Sequence, residues 1–252
     1  MCGAEADSSE HRLKKSDIVR AYGRGPYSGD TQPIHFRDKT STKVQGPNSR
    51  AIKYANILCI QCNTTNSQPY DKAYETFIEW ITHNEGLVLH QRFIDFERVF
   101  GADWEDRQRN LYKYFAKSFG CRLAEISRAV PDDVVNLFDK KRFRTGLRLT
   151  FAVNEDIVLM PPRDRNGFIG KGTLNAMVQR TNTSIVNGYT WDEHVSWFTT
   201  MYWYIEWPDG NLGSSWVADS KHIYLGSHSP LPPEMRSEFM QKLALRIGER
   251  AP

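Results

Sequence analysis

Asn56-Ile57-Leu58-Cys59-Ile60-Gln61-Cys62-Asn63 is the stretch that decides the fold, because it places a Cys-x-x-Cys pair directly after an apolar run. Thiols at this spacing typically form a knuckle that holds a metal ion. Far upstream, Glu10 directly precedes His11. Metal-assisted phosphodiester cleavage uses a carboxylate and an imidazole in this way: one holds the ion and the other takes a proton from water. The sequence therefore predicts a metal knuckle together with an acid–base site.

The composition is that of an ordinary globular protein. The 252 residues are 40% hydrophobic and 25% charged, with a net charge of +3, which suits one large or two modest domains and excludes wholesale disorder. No secretory signal or bilayer-spanning apolar run is present. We therefore expect a cytoplasmic protein without membrane contact or an organic cofactor, whose thiols are metal ligands more readily than disulfides. Cys121 is expected to be a small buried group.

Positive charge is concentrated in residues 107–148, which contain eleven Lys or Arg against four acids, a local net charge of +7. Such a segment can neutralise phosphates, and a solvated helix face explains it equally well. The candidate nucleic-acid contacts are the basic residues of this segment and those that follow His11: Lys14, Lys15, Lys113, Lys117, Lys140, Lys141 and Arg142.

The hydrophobic pattern divides the chain into three parts. Residues 1–82 combine an irregular insertion over 21–50, a short strand ending at Leu58 and a helix that Asp71 can cap. Residues 83–144 are expected to be helical, with apolar faces that include Phe93 and Phe96 and, further on, Leu111, Phe115 and Phe119. Residues 145–252 alternate as strands from Leu147 onward, with a hairpin turn at Asn187-Gly188 and a closing helix over 234–249. Core packing is the favoured interpretation of the aromatic stretch from Trp197 to Trp207, ahead of a base-stacking platform.

Over about the first eighty residues the chain resembles the HNH type of His-Me finger endonuclease. The resemblance is carried by Cys2-Gly3, Glu10-His11 and the Cys59/Cys62 knuckle followed by Asn63. It implies an α+β fold with an N-terminal ββα-metal (HNH) finger, here residues 1–82. A helical segment over 83–144 and a mixed α/β region over 145–252, with antiparallel strands and a final helix, would follow.

The resemblance also implies roles for individual residues. His11 would be the general base, and Glu10 and Asn63 would hold a catalytic Mg²⁺ or another divalent ion. Asn56 would take the middle position that orients the imidazole. Asn48 is the alternative to Asn56, whose spacing from Cys59 departs from the family, and Asn66 is the alternative to Asn63.

A structural Zn²⁺ is implied as well, with Cys2, Cys59 and Cys62 as ligands. The family's first knuckle is Cys-x-x-Cys-Gly, and Cys2-Gly3 matches only its second half. Either the sequence begins inside the knuckle, which we favour, or the zinc site is degenerate; His35 is a weaker fourth-ligand candidate. A thioredoxin-like redox pair is the alternative interpretation of Cys59 and Cys62, disfavoured because no matching strand–helix pattern surrounds them.

The predicted function is therefore metal-dependent hydrolysis of DNA. The alternatives are a non-catalytic, zinc-stabilised nucleic-acid-binding protein and an interaction protein built on a decayed nuclease finger. Oligomeric state, target sequence and the role of residues 145–252 are left open.

Overall fold

The computed structural model describes residues 3–29, 32–37, 39–138, 143–179, 181–205, 215–238 and 241. The fold is α+β, as predicted: helices are concentrated in the first half and a mixed sheet forms the second. The described strands are, in order, β1 (Ser8–His11), β2 (Ile34–Arg37), β3 (Thr40–Lys43), β4 (Lys53–Leu58), β5 (Phe93–Asp95), β6 (Leu147–Asn154), β7 (Ile169–Lys171), β8 (Asn175–Gln179), β9 (Asn182–Val195), β10 (Phe198–Ile205) and β11 (His222–His228).

The helices occupy most of the chain between β4 and β6. They are α1 (Lys15–Tyr22), α2 (Ile60–Asn63), α3 (Gln68–His83), α4 (Glu85–Gln91), α5 (Phe96–Phe100), α6 (Trp104–Glu125), α7 (Asp132–Asn136), α8 (Glu155–Val158) and α9 (Pro162–Arg165). Helix α3 begins with Pro69 in its first turn, where a missing N–H costs nothing, and has Asp71 beside the positive end of the helix dipole. None of the described helices is long and apolar enough to cross a bilayer.

The N-terminal region pairs two strands that are distant in sequence. Strand β1 runs antiparallel to β4, with Ser8 opposite Leu58 and His11 opposite Lys53, and the register shifts twice between them. The insertion that separates β1 from β4 carries α1 and a separate two-stranded hairpin, β2–β3. Helices α2 and α3 then follow β4. The ββα-metal finger expected for residues 1–82 stays a prediction, because α1 and the β2–β3 hairpin lie between β1 and β4 in the chain.

A seven-stranded sheet forms the C-terminal region, in the order β5-β11-β6-β10-β9-β7, with β8 also paired to β9. Strand β11 is parallel to β6 and antiparallel to β5, while the other pairs are antiparallel. Helices α3 and α6 cover this sheet, and a single large cluster of buried side chains lies between the layers. Its centre is aromatic: Phe77, Phe115, Phe151 and Tyr202 are each at most 1% exposed.

Two sequence predictions about this region were wrong. Residues 83–144 are not uniformly helical, because Phe93–Asp95 forms β5 against β11. Asn187-Gly188 is not a turn, because both residues lie inside β9 and Gly188 has β8 on one side and β10 on the other. A Cβ at position 188 would meet the carbonyl oxygen of Tyr204 at 2.5 Å. The absence of a side chain at Gly188 therefore allows the neighbouring strands to approach closely.

The aromatic stretch after Val195 is sheet core, as expected. Trp197, Phe198, Tyr202 and Tyr204 are buried, and Tyr202 stacks on Trp191 with ring centroids 4.4 Å apart. Residues 233–238 are helical, in agreement with the start of the predicted closing helix. Cys2, Lys140, Lys141, Arg142, Trp207 and most of the predicted helix over 234–249 lie outside the described residues.

Candidate functional site

His11 is held on β1 by a contact with the insertion. Its Nε2 lies 3.2 Å from the carbonyl oxygen of Pro47. A carbonyl can only accept, so Nε2 carries the ring proton and Nδ1 is the basic nitrogen when the ring is neutral. Burial, with Lys53 as a second cause, lowers the pKa of His11 to about 4. The imidazole is therefore neutral at physiological pH, the form that a general base requires.

Asn63 lies against the same strand. Its Nδ2 donates to the Oγ of Ser8 at 2.8 Å and to the carbonyl oxygen of Ser9 at 3.1 Å. The Ser9 carbonyl accepts only, which fixes the orientation of the amide. Oδ1 of Asn63 is then a buried oxygen without a hydrogen-bond partner among the described residues. The structure thus brings Asn63 to Ser8 and Ser9, which precede His11 on β1 by three and two positions, and leaves Oδ1 without a partner among the described residues.

The other asparagine candidates have different surroundings. Asn56 is exposed on β4, opposite Ser9, and Asn48 is exposed directly after the Pro47 carbonyl that contacts His11. Asn66 is exposed, and its Nδ2 lies 3.8 Å from the sulfur of Cys62. Asn66 therefore belongs to the knuckle, whereas Asn63 belongs to β1.

The carboxylate of Glu10 is turned toward the interior. Its Oε2 lies 2.9 Å from the Nζ of Lys117 on α6, and the Lys117 side chain is only 3% exposed. The same ammonium contacts the Oγ of Ser67 at 3.2 Å and Oδ2 of Asp71 at 3.9 Å. Oε1 of Glu10 makes no ion pair with the described residues. One oxygen of Glu10 is therefore committed to a buried cation and the other is available.

This arrangement corrects the prediction for Lys117. We expected it one turn from Lys113 on a basic surface, but it neutralises carboxylates beneath β1 and is not exposed to contact a phosphate. Periodicity could not reveal this, because Lys117 interrupts the apolar positions of α6. Its buried neighbours Ala116 and Phe119 are the local signal that its surroundings are closed to water.

The two thiols of the knuckle lie on one turn of backbone at the start of α2. Cys59 is the N-cap, and its Sγ accepts from the backbone N–H of Cys62 at 3.4 Å. The Cys62 side chain is buried. Oδ1 of Asp7 accepts from the N–H of Ile60 at 2.7 Å, which brings the segment that follows Cys2 to the same turn. Two sulfur donors on one turn suit a zinc ligand pair.

The described residues do not complete such a site. No group of three or more His, Cys, Asp or Glu side chains in the described part of the chain is arranged to hold a metal. His35 lies on β2, in a cavity with Arg12 and Arg37, so it does not join the thiols. Cys121 is fully buried on α6, and burial raises its pKa to about 12, so it remains a protonated thiol.

The remaining basic candidates differ in exposure. Lys14 bonds Oδ1 of Asp71 at 2.7 Å, Lys15 is exposed, and the Lys113 ammonium lies 5.6 Å from the centre of the Tyr70 ring. An open groove of about 620 Å³ passes Lys14 and Asn63 and continues along the first turns of α3. Its described lining has two lysines and two acids, Lys14, Lys72, Asp71 and Glu75, and the Oδ1 atom of Asn63 is buried behind it.

Comparison of the chain with protein-family models, with curated proteins and with solved structures found no match. The resemblance to HNH nucleases therefore rests on the motif residues of the sequence alone.

Proposed function

We propose that this protein is an HNH-type endonuclease that hydrolyses DNA phosphodiester bonds with the help of a divalent ion. The observation that carries the proposal is that Asn63, after the knuckle, bonds β1 beside the half-buried, neutral His11. His11 and Asn63, which are far apart in the sequence, are thereby connected through the β1–β4 pair and the helix α2 that follows β4.

In this proposal His11 accepts the proton of the attacking water at Nδ1, because Nε2 is held by Pro47. The Pro47 contact orients the ring, and the low pKa keeps Nδ1 unprotonated before the reaction. The open groove beside Asn63 receives the substrate strand. Lys14 lines this groove but is paired with Asp71 and Glu75, so the exposed Lys15 is the candidate phosphate contact in this part of the chain.

The residues present fit a divalent ion. Mg²⁺ takes oxygen ligands and needs only one or two from the protein. Oδ1 of Asn63 is a buried oxygen that makes no hydrogen bond with the described residues, and Glu10 has one oxygen outside its ion pair with Lys117. A cation held by these two oxygens would supply charge stabilisation at the scissile phosphate and the leaving oxygen. Cys59 and Cys62 would hold a separate, structural zinc.

The test is nicking of supercoiled plasmid by the full chain with Mg²⁺ or Mn²⁺. His11→Ala should reduce the rate by about 10²-fold or more, since this is the typical contribution of a general base. His90→Ala is the matched control, because His90 is exposed on α4 and lies outside the site. Retained nicking in His11→Ala, or absence of nicking in the wild-type protein with every divalent ion tried, contradicts the proposal.

One observation favours a second function, a non-catalytic nucleic-acid-binding protein. The ion pair of Glu10 with Lys117 occupies one oxygen of the acidic ligand and places a positive charge next to the proposed cation site. Like charges disfavour binding of a divalent ion. DNA binding by a protein that does not nick, unchanged in His11→Ala, supports this alternative, and absence of both activities supports an interaction protein.

A further inference from the structure

A cavity of about 370 Å³ lies between α1, the β2–β3 hairpin and β7. Its lining includes neither His11 nor Asn63, so it is separate from the proposed nuclease centre. The volume falls in the range of small-molecule pockets. Among the described residues that line it, four are cationic and none is acidic; the four are Arg12, Arg37, Arg122 and Lys171.

The arginines of this cavity share one carboxylate behind its wall. Arg12, Arg37 at 2.8 Å and Arg122 at 3.4 Å all contact Glu125, whose side chain is only 8% exposed. One negative charge therefore anchors three guanidinium groups from three different elements. The shared carboxylate fixes the positions of the three guanidinium groups and supplies a single negative charge for three positive ones, an arrangement that favours an anion.

Two further observations indicate a positive, partly unsatisfied cavity. The Nε of Arg122 is a buried donor without a hydrogen-bond partner among the described residues, whereas its Nη2 donates to the carbonyl oxygen of Gly172 at 3.1 Å. On β2, the pKa of His35 is lowered by burial and then by Arg12 and Arg37. A buried donor left without an acceptor is costly, and an anion in the cavity would remove that cost.

Apolar and aromatic side chains make up much of the remaining wall. Phe36 stands at the rim with 74% of its surface exposed, and Ile34 beside it is 51% exposed. Tyr22 lines the opposite part of the cavity and donates its hydroxyl to the carbonyl oxygen of Gly167. An exposed aromatic ring beside a cluster of arginines suits a ligand that joins a phosphate to a planar ring, since rings stack and arginines bind phosphate by paired N–H donors.

We propose that this cavity binds a phosphate-bearing ligand with a planar ring, the chemistry of a nucleotide. The phosphate lies on Arg37 and Arg122, and the ring packs on Phe36. The same chemistry is offered by a free mononucleotide and by the phosphorylated end of a nucleic-acid strand. The inference does not depend on nuclease activity, because none of the residues that form the cavity belongs to the proposed centre.

Binding is measured by isothermal titration calorimetry on the full chain in phosphate-free buffer. The probes are AMP, inorganic phosphate, and an oligonucleotide with and without a 5′-phosphate. AMP should bind saturably and more tightly than inorganic phosphate. Arg37→Gln and Arg122→Gln should each weaken AMP binding at least about tenfold, the usual loss for a charged hydrogen bond. Arg109→Gln, which removes an exposed arginine at the start of α6, is the matched control and should leave AMP binding unchanged.

The oligonucleotide identifies the source of the phosphate. If AMP alone binds, the ligand is a free nucleotide; competition by the 5′-phosphorylated strand, but not by its unphosphorylated form, identifies a strand end. The proposal is overturned if neither AMP nor the 5′-phosphorylated oligonucleotide binds saturably. Equal affinity for AMP and inorganic phosphate, or unchanged AMP affinity in both arginine variants, overturns it as well.

Thermal unfolding gives a second test that needs no variant of the arginines. Glu125→Gln should lower the melting temperature in chloride, because three guanidinium groups lose their shared counter-charge. The rise in melting temperature on replacing chloride by phosphate at the same ionic strength should then be larger for this variant than for the wild-type protein, which carries the general effect of the salt. An equal rise in the variant and the wild-type protein contradicts anion binding at this position.

Discussion

Oε2 of Glu10 lies 2.9 Å from Nζ of Lys117, and this buried ion pair joins β1 to the middle of α6. The ammonium also contacts Ser67 and Asp71 at the start of α3. The Nζ atom of Lys117 thus connects β1, α6 and the start of α3, which are not adjacent in the sequence. The strand that carries His11 therefore derives its position from the helical layer as well as from β4.

Lys117→Met should lower the free energy of unfolding by about 3 kcal/mol, because it leaves the largely buried carboxylate of Glu10 without its cation, whereas Asp71 keeps its ion pair with Lys14. Urea titration followed by circular dichroism measures the change. Lys113→Met, one turn earlier on α6, removes a charge that lies over the Tyr70 ring and should cost at most about 1 kcal/mol. Equal losses in the two variants would show that burial of Lys117 does not matter.

The pH dependence of stability should be sensitive to Asp17. Burial raises the pKa of this carboxyl above its ordinary value of 3.8, although the Tyr74 hydroxyl and Arg20 act in the opposite direction. The native state then keeps a proton that the unfolded chain has lost, so the free energy of unfolding falls as pH rises above 3.8. Asp17→Asn should remove this fall while keeping an acceptor for Tyr74.

Urea titrations at a series of pH values from 3.8 to neutrality compare the Asp17→Asn variant with the wild-type protein. The variant should gain stability relative to wild type as pH rises. Asp106→Asn, which changes an 86% exposed carboxylate on α6, should follow the wild-type curve. If the difference between Asp17→Asn and wild type is constant with pH, the buried carboxyl does not control the slope.

Asn63 and Asn66 should be separable by mutation. Asn63→Ala removes two hydrogen bonds to β1 and should cost about 1–2 kcal/mol of stability and, under the proposed function, abolish metal-dependent nicking. Asn66→Ala removes only a long contact to the Cys62 sulfur and should retain nicking. Plasmid nicking together with thermal unfolding checks both effects. The reverse order of activities would assign the ligand role to Asn66.

The thiols can be tested through zinc content. Purified full-length protein should contain about one zinc ion per chain by mass spectrometry of the metal, and Cys62→Ser should lose it. Cys121→Ala should keep the zinc, because its raised pKa of about 12 marks a thiol that stays protonated. Retention of zinc in Cys62→Ser would contradict zinc binding by the knuckle, and loss of zinc in Cys121→Ala would contradict the assignment of Cys121 as a buried thiol that binds no metal.

The spacing of hydrophobic residues in the sequence predicted those helices and strands that bury one face in the core. Leu111, Phe115 and Phe119 recur at helical spacing, and all three are at most 1% exposed on one face of α6. The alternation that begins at Leu147 likewise predicted β6, because one face of that strand meets the core. Side-chain periodicity reports which face is buried, and in these elements it decides the structure.

The errors arose where distant segments decide the structure. Strand β5 exists because Phe93–Asp95 pairs with His222–Tyr224, more than a hundred residues later. The sequence around Gly188 predicts a turn, whereas in the structure this residue lies in β9 between β8 and β10. Lys117 reads as a surface charge until Glu10 is brought beneath it. In the candidate site, the residue types could be predicted from motifs. The ion pair of the Glu10 carboxylate with Lys117 could not, because these two residues are distant in the sequence.

Strand β11 is the last of the described strands in chain order, yet it lies between β5 and β6. The ribosome must therefore synthesise residue 228 before β5 can be joined to the rest of the sheet through the complete β11. Until then β5 and β6 present open backbone edges to other chains in the cell. Truncated translation products that end before β11 would therefore keep these edges exposed. Chaperones or proteases would bind such products even when their helices are formed.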